Sequence, residues 1–140
     1  MARKRVGAHR WRAVIYHFEV VAHPQGKERP RTVRSRRGKV FTYTPKRTKD
    51  YEHLVQACFL ELYQRKLNDA ESNWSLDVDV YYKGRCMDAD NVAKSIMDAL
   101  NGFIWHDDSQ VVELRVRMHK ADKNECQRVI IQACPLKEWR

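Results

Sequence analysis

From Trp74 to Tyr82 polar and apolar positions alternate without a break: Leu76, Val78, Val80 and Tyr82 are set against Asp77, Asp79 and Tyr81. A period of two is that of a strand with one face buried. The same alternation returns in Val112, Leu114, Val116 and Met118 against Glu113, Arg115 and Arg117, which predicts a second half-buried strand. Two further segments, RAVIYHFEVVA (Arg12–Ala22) and RVIIQAC (Arg128–Cys134), are dense in β-branched and apolar residues and read as strands as well. Elsewhere the period becomes helical. Tyr51, Leu54, Val55, Cys58, Leu62 and Tyr63 recur at helical spacing, so the pattern predicts a helix to about Leu67, with Thr44 as its cap and Pro45 at its first position. From Asp90 a second helix turns by about 100° per residue. It gathers Val92, Ile96, Ala99, Leu100 and Phe103 on one face, and Asn101-Gly102 ends it.

The intervening HPQGKERPRTVRSRRGKVFTY (His23–Tyr43) reads as an irregular loop with a short ribbon around GKVFTY. The order strand, helix, strand, helix, strand, strand implies a single small α/β (α+β) domain. Its core is a mixed sheet of about four strands with two helices packed on it.

Composition supports one soluble domain. A chain of 140 residues holds one core and is short for two. With 43% apolar and 32% charged residues it is neither disordered nor membrane-bound in character. No apolar run approaches the roughly 18 residues of a membrane helix, and the basic start MARKRVGAHRW lacks the apolar segment of a secretory signal. Cys58, Cys86, Cys126 and Cys134 show no metal-type spacing and read as reduced thiols of a cytosolic protein.

Charge distribution changes the picture more than its sum of +9. Residues 1–49 carry 15 Lys and Arg against Glu19 and Glu28, a net of +13, whereas residues 50–140 carry 12 bases against 16 acids, a net of −4. Nine bases (Arg29, Arg31, Arg34, Arg36, Arg37, Lys39, Lys46, Arg47 and Lys49) follow one another with no acid among them. Such a run predicts a polyanionic partner, and residues 1–11 read as a basic arm.

Against this background the acids of CMDADNVAKSIMDALNGFIWHDDSQVV (Cys86–Val112) are crowded. Asp88 and Asp90 leave a strand and lead into a helix, where two carboxylates two residues apart in extended chain face one side. Asp90 also suits the helix cap. Lys94 falls opposite the apolar face, one turn beyond Asp90, and an i,i+4 ion pair with Asp90 or Asp98 is its plainest role. After the apolar anchor Phe103-Ile104-Trp105 come His106, Asp107 and Asp108. Spacing permits one of these acids to meet Asp88 and Asp90 but does not require it. Crowded carboxylates are the ligand type that hard cations such as Mg²⁺ take, together with water and phosphate oxygens. Next to a cationic surface, this points to phosphodiester hydrolysis on a nucleic acid.

DADNVAKSIMDAL followed by WHDDSQVVEL, with GKERPR and FTYTPKRTKDYE upstream, closely resembles the RusA family of Holliday junction resolvases over roughly Gly26 to Lys120. The resemblance implies a nuclease domain over residues 12–140. It also implies a homodimer dependent on Mg²⁺ (Mn²⁺ as substitute) that binds four-way DNA junctions and resolves them by paired symmetric nicks, in the cytoplasm and away from membranes. Carried over by position, Asp88, Asp90 and Asp108 are the metal ligands and Lys94 the essential lysine, with Asn91 and Asp107 supporting. The nine bases above, with Arg85 and Lys120, form the expected DNA surface. Met87 stands where some members carry an arginine. The rival readings are a nucleic-acid-binding module without catalysis and a metal-dependent nuclease on other branched DNA.

Overall fold

A computed structural model describes residues 14–136. The predicted arm (1–11), and the first residues of the strand expected from Arg12, lie outside the described residues. Four strands form the main sheet: β1 (Tyr16–Val20), β4 (Asn73–Tyr82), β5 (Val111–Lys120) and β6 (Arg128–Leu136). Their order is β1-β6-β4-β5, with β4 and β5 parallel and the other pairs antiparallel. This is the expected mixed sheet carrying two helices, α1 (Lys46–Tyr63) and α2 (Ala89–Ala99).

Alternation in β4 is realised: Trp74, Leu76, Val78 and Val80 are buried. They meet Phe18 and Val20 of β1, Val129, Ile131 and Ala133 of β6, Val55 and Phe59 of α1, and Val92, Ile96 and Ala99 of α2 in one core. Parallel strands cannot be joined by a tight turn, so the chain returns from the end of β4 to the start of β5 through α2. That return positions the acids.

Several boundaries differ from the sequence expectation. Pro45, not Thr44, is the N-cap of α1, with no side-chain cap; its carbonyl accepts from the Lys49 N–H at 3.3 Å. The helix stops at Tyr63 rather than Leu67, because Gln64 turns left-handed (φ 61°) and donates its N–H to Leu60 O at 2.8 Å. Likewise α2 ends at Ala99 with Leu100 as cap, and Gly102, at φ 80°, makes the reversal that follows. The basic segment is more regular than the irregular loop expected. β2 (Arg31–Arg34) and β3 (Val40–Tyr43) pair antiparallel as a hairpin, exposed along both strands and separate from the main sheet.

Candidate active site

α2 is built so that one face buries and the other carries charge. Val92, Ala93, Ser95, Ile96 and Ala99 are buried, while Asp90, Lys94 and Asp98 follow at i,i+4 spacing on the other side. The N-cap is Asp88, which corrects the assignment of Asp90 to that position; Asp90 sits within the first turn. Asp88 caps through its backbone only: its carbonyl accepts from the Val92 N–H at 3.1 Å, and its side chain makes no capping bond. Both carboxylates are exposed and stand outside the ion pairs formed among the described residues. Because Asp90 is already helical, the two do not share the extended-chain side that their spacing suggested.

Lys94 is the meeting point of the acids that are engaged. Its Nζ donates to Asp108 Oδ2 at 2.8 Å and lies 3.3 Å from Asp98 Oδ1. Lys27 binds the other oxygen of Asp98 at 3.0 Å and Glu52 Oε1 at 3.0 Å. The chain Glu52–Lys27–Asp98–Lys94–Asp108 thus crosses from α1 over α2 to the start of β5. Its charges stabilise one another. The hydrogen bond to Asp108 leads in raising the Lys94 pKa above its ordinary value. Burial pushes Asp98 upward, but the bonds and charges of Lys27 and Lys94 outweigh it and hold the carboxyl below the usual range. Lys27 was not singled out from the sequence; Asp98 was named there only as an i,i+4 partner of Lys94, a pair that forms at 3.3 Å. Lys27 is hidden in a basic run, and Asp98 is an ordinary helix-surface acid until the loop carrying Lys27 is laid over it.

That loop is pinned tightly. The Lys27 N–H donates to the Asn91 carbonyl at 3.0 Å, so Asn91 acts through its backbone in tying the loop to α2. A Cβ on Gly26 would lie 2.5 Å from Met87 Cβ, an atom fixed by the backbone immediately before Asp88. Gly26→Ala is therefore expected to destabilise the fold by about 1–3 kcal/mol and to lower cutting through displacement of Asp88; urea denaturation beside a cleavage assay checks both. Asp98→Asn removes the charge that both lysines share. We expect a ten- to hundredfold slower single-turnover cleavage, on the order of what misplacement of a catalytic group costs, with DNA affinity within about twofold.

The remaining predicted residues fall as follows. Asp107 caps the short 3-10 turn Asp108–Gln110: its side chain accepts from the Ser109 N–H at 3.0 Å while Gln110 Oε1 accepts from the Asp107 N–H at 2.9 Å. The Ser109 bond leads in holding the Asp107 carboxyl below its ordinary range. His106 is tied to Asn68 Oδ1 at 3.0 Å, and Trp105 is core, its Nε1 donating to Asn101 Oδ1 at 3.1 Å. Lys120 and Asp88 line one cleft of about 380 Å³ with Tyr82, Met87 and Met118. Arg85 is exposed nearby, and all nine bases from Arg29 to Lys49 are exposed. Arg31 and Arg47 reach Glu28, at 3.6 and 3.3 Å.

The structure does not gather Asp88, Asp90 and Asp108 into one cluster. Among the described residues no three His, Cys, Asp or Glu side chains stand together as a metal-holding group. Topology is the reason: Asp88 and Asp90 begin α2, Asp108 follows its far end, and a helix of 11 residues is roughly 16 Å long. Lys94 bridges part of that span. The donors themselves, carboxylate oxygens with Asp88 and Asp90 unengaged, are of the type Mg²⁺ takes.

The family pattern described as Endodeoxyribonuclease RusA matches residues 22–133. The chain belongs to the RusA endodeoxyribonuclease family. That match spans the cationic hairpin, the Lys27 loop, α2 and Asp108, so the RusA domain contains every element of the candidate site. No curated protein matches the chain. No helix of the described residues is long and apolar enough to cross a membrane.

Proposed function

We propose that this RusA-family chain is a homodimeric, Mg²⁺-dependent endonuclease that resolves four-way DNA junctions by paired symmetric nicks, serving recombination and repair in the cytoplasm of a bacterial or phage-infected cell. Beside family membership, one observation carries the reading: a lysine ammonium held between Asp98 and Asp108, on the helix whose N-cap and first turn each present one unengaged carboxylate. In this reading Asp88 and Asp90 would hold Mg²⁺, with Mn²⁺ as substitute, and Asp108, engaged by Lys94 in this structure, would join them on metal binding; the ion would supply water activation and charge stabilisation on the leaving oxygen.

The protein's own groups do the positioning. An ammonium has three N–H donors; two of those on Lys94 are directed to Asp98 and Asp108, which leaves one for a phosphate oxygen. Preorganised positive charge of this kind is most effective where charge develops in the transition state. The exposed hairpin and the bases flanking it neutralise phosphates along the arms, which supplies affinity without sequence reading.

The test is a cleavage assay with titrated Mg²⁺ and mapped products on four-way junctions, forks and flaps. Symmetric paired nicks confined to the junction support the proposal. Equal cutting of all three substrates makes the protein a general branched-DNA nuclease. Binding without cutting in either Mg²⁺ or Mn²⁺ makes it a non-catalytic module.

A further inference from the structure

The hairpin of β2 and β3 carries apolar surface that the core does not use. Its register pairs Arg31 with Tyr43, Thr32 with Thr42, Val33 with Phe41 and Arg34 with Val40. Successive residues of a strand point to opposite sides, and directly opposed residues share a side. Val33, Phe41 and Tyr43 therefore stand together on one side of the ribbon, beside Arg31. Thr32 and Thr42, their hydroxyls 3.4 Å apart, take the other side. Val33, Phe41 and Tyr43 are 37%, 49% and 42% exposed, and among the described residues none of them joins the core or packs against it. The aromatic contacts of the described residues run among other side chains, such as Tyr16 with Phe59 and Trp74 with Trp105. Single exposed apolar residues are ordinary, but two rings and a valine side by side on a ribbon detached from the main sheet form a patch.

Charge around the patch selects what covers it. The turn closes through the Gly38 N–H, which donates to Ser35 O at 2.9 Å with Gly38 at φ 82°, and this places Arg36 and Arg37 at the tip. No acid occurs from residue 29 to residue 49. A second copy of the ribbon would bring like charges together, whereas a polyanion is drawn to it. Rings set within a cationic strip are the combination that exposed nucleobases take: bases stack on the rings while phosphates meet the bases of the protein.

We propose that Phe41 and Tyr43 form a stacking platform for unstacked nucleobases, with which the ribbon recognises the open branch point rather than the duplex arms. This deepens the junction reading above and rests on it. Inside a duplex arm every base face is covered by its neighbours, and extruding a base costs unstacking energy. Where arms part, each stack ends on a base with one face bare. Phe41 and Tyr43 are two residues apart, about 7 Å along β3, twice the roughly 3.4 Å between stacked bases, so one base plane fits between the rings. The arginines of the hairpin then supply affinity common to all DNA, and the rings supply the preference for a branch.

Fluorescence anisotropy in the Asp90→Asn background, which leaves DNA uncut, tests the platform on a four-way junction, a duplex and an oligothymidylate. Phe41→Leu/Tyr43→Leu keeps apolar bulk but removes both rings. It is expected to weaken junction and oligothymidylate binding about tenfold or more, with duplex binding within about twofold and the salt slopes unchanged. Phe41→Tyr/Tyr43→Phe keeps both rings and is expected to bind as the parent does. A 5-iodouracil beside the branch point is expected to photocross-link to Phe41 or Tyr43, located by peptide mass spectrometry. In a parent that prefers the junction, equal losses on junction and duplex, no loss on the junction, or a cross-link confined to other residues overturns the platform alone. A parent that prefers neither junction nor duplex, yet loses oligothymidylate affinity with the rings, overturns the junction reading and keeps the platform for single strands; with no such loss, both fall.

Discussion

Asp90→Asn, and equally Asp88→Asn, is expected to slow junction cutting by at least about a thousandfold while junction binding stays unchanged or tightens. The substitution keeps shape and an oxygen acceptor but removes the negative charge that a hard cation and its activated water depend on. Losing a single preorganised electrostatic contact to a transition state already costs roughly two to three powers of ten, and loss of a metal ligand is the more severe change. Binding moves the other way because a carboxylate beside a phosphate repels it. The structure makes this a clean experiment. Both side chains are exposed, neither caps α2, and neither belongs to the Lys94 network, so thermal melting is expected to be unaltered. Asp107→Asn is the internal control: asparagine caps as well as aspartate does, and cutting should persist. Wild-type cutting by both Asp88→Asn and Asp90→Asn would reduce these acids to surface charges.

How far the sequence revealed this site depended on what each residue contacts. Residues that bury against one continuous core announce themselves through period. Leu76, Val78 and Val80 did so in β4, as did Val92 and Ile96 in α2, and the mixed sheet with two helices followed from them. Helix ends were less legible, because a left-handed Gln64 or a capping Pro45 carbonyl leaves little mark on apolar spacing. The hairpin was half-read for a related reason: Arg31–Arg34 and Val40–Tyr43 are exposed on both faces, so no alternation betrays a ladder made by backbone bonds. The family resemblance selected Asp88, Asp90, Lys94 and Asp108, but it was silent on what holds Lys94 in place. That link runs from Lys27 to Asp98 and joins a loop to a helix far along the chain, a relation that local pattern does not encode. Three carboxylates in the family motif also suggested one cluster, whereas the structure sets Asp108 against Lys94 and leaves Asp88 and Asp90 outside that contact.

Arg34→Ala/Arg36→Ala/Arg37→Ala is expected to weaken junction binding about a hundredfold near 0.15 M salt and to reduce the slope of log affinity against log salt by about 2–3 units. Each phosphate neutralised releases close to one counterion, so removing three cationic side chains together changes the slope as well as the affinity. These three are the informative bases in the run. Arg31 and Arg47 already face Glu28, so their charges are partly spent within the protein. Arg34 ends β2, Arg36 and Arg37 lie in the turn beyond it, and all three are exposed and outside the ion pairs of the described residues. The hairpin contributes nothing to the main core, so the triple change should leave the melting temperature in place and separate a binding defect from a folding one. The loss should be equal across junctions of different sequence, because phosphate contacts position a protein without reading bases. Measuring it in Mg²⁺ with Asp90→Asn as the background keeps the substrate uncut, so that affinity alone is read. An unchanged salt slope would remove the hairpin from the DNA surface and shift the electrostatic footprint to Arg85 and Lys120, which flank the Asp88 cleft.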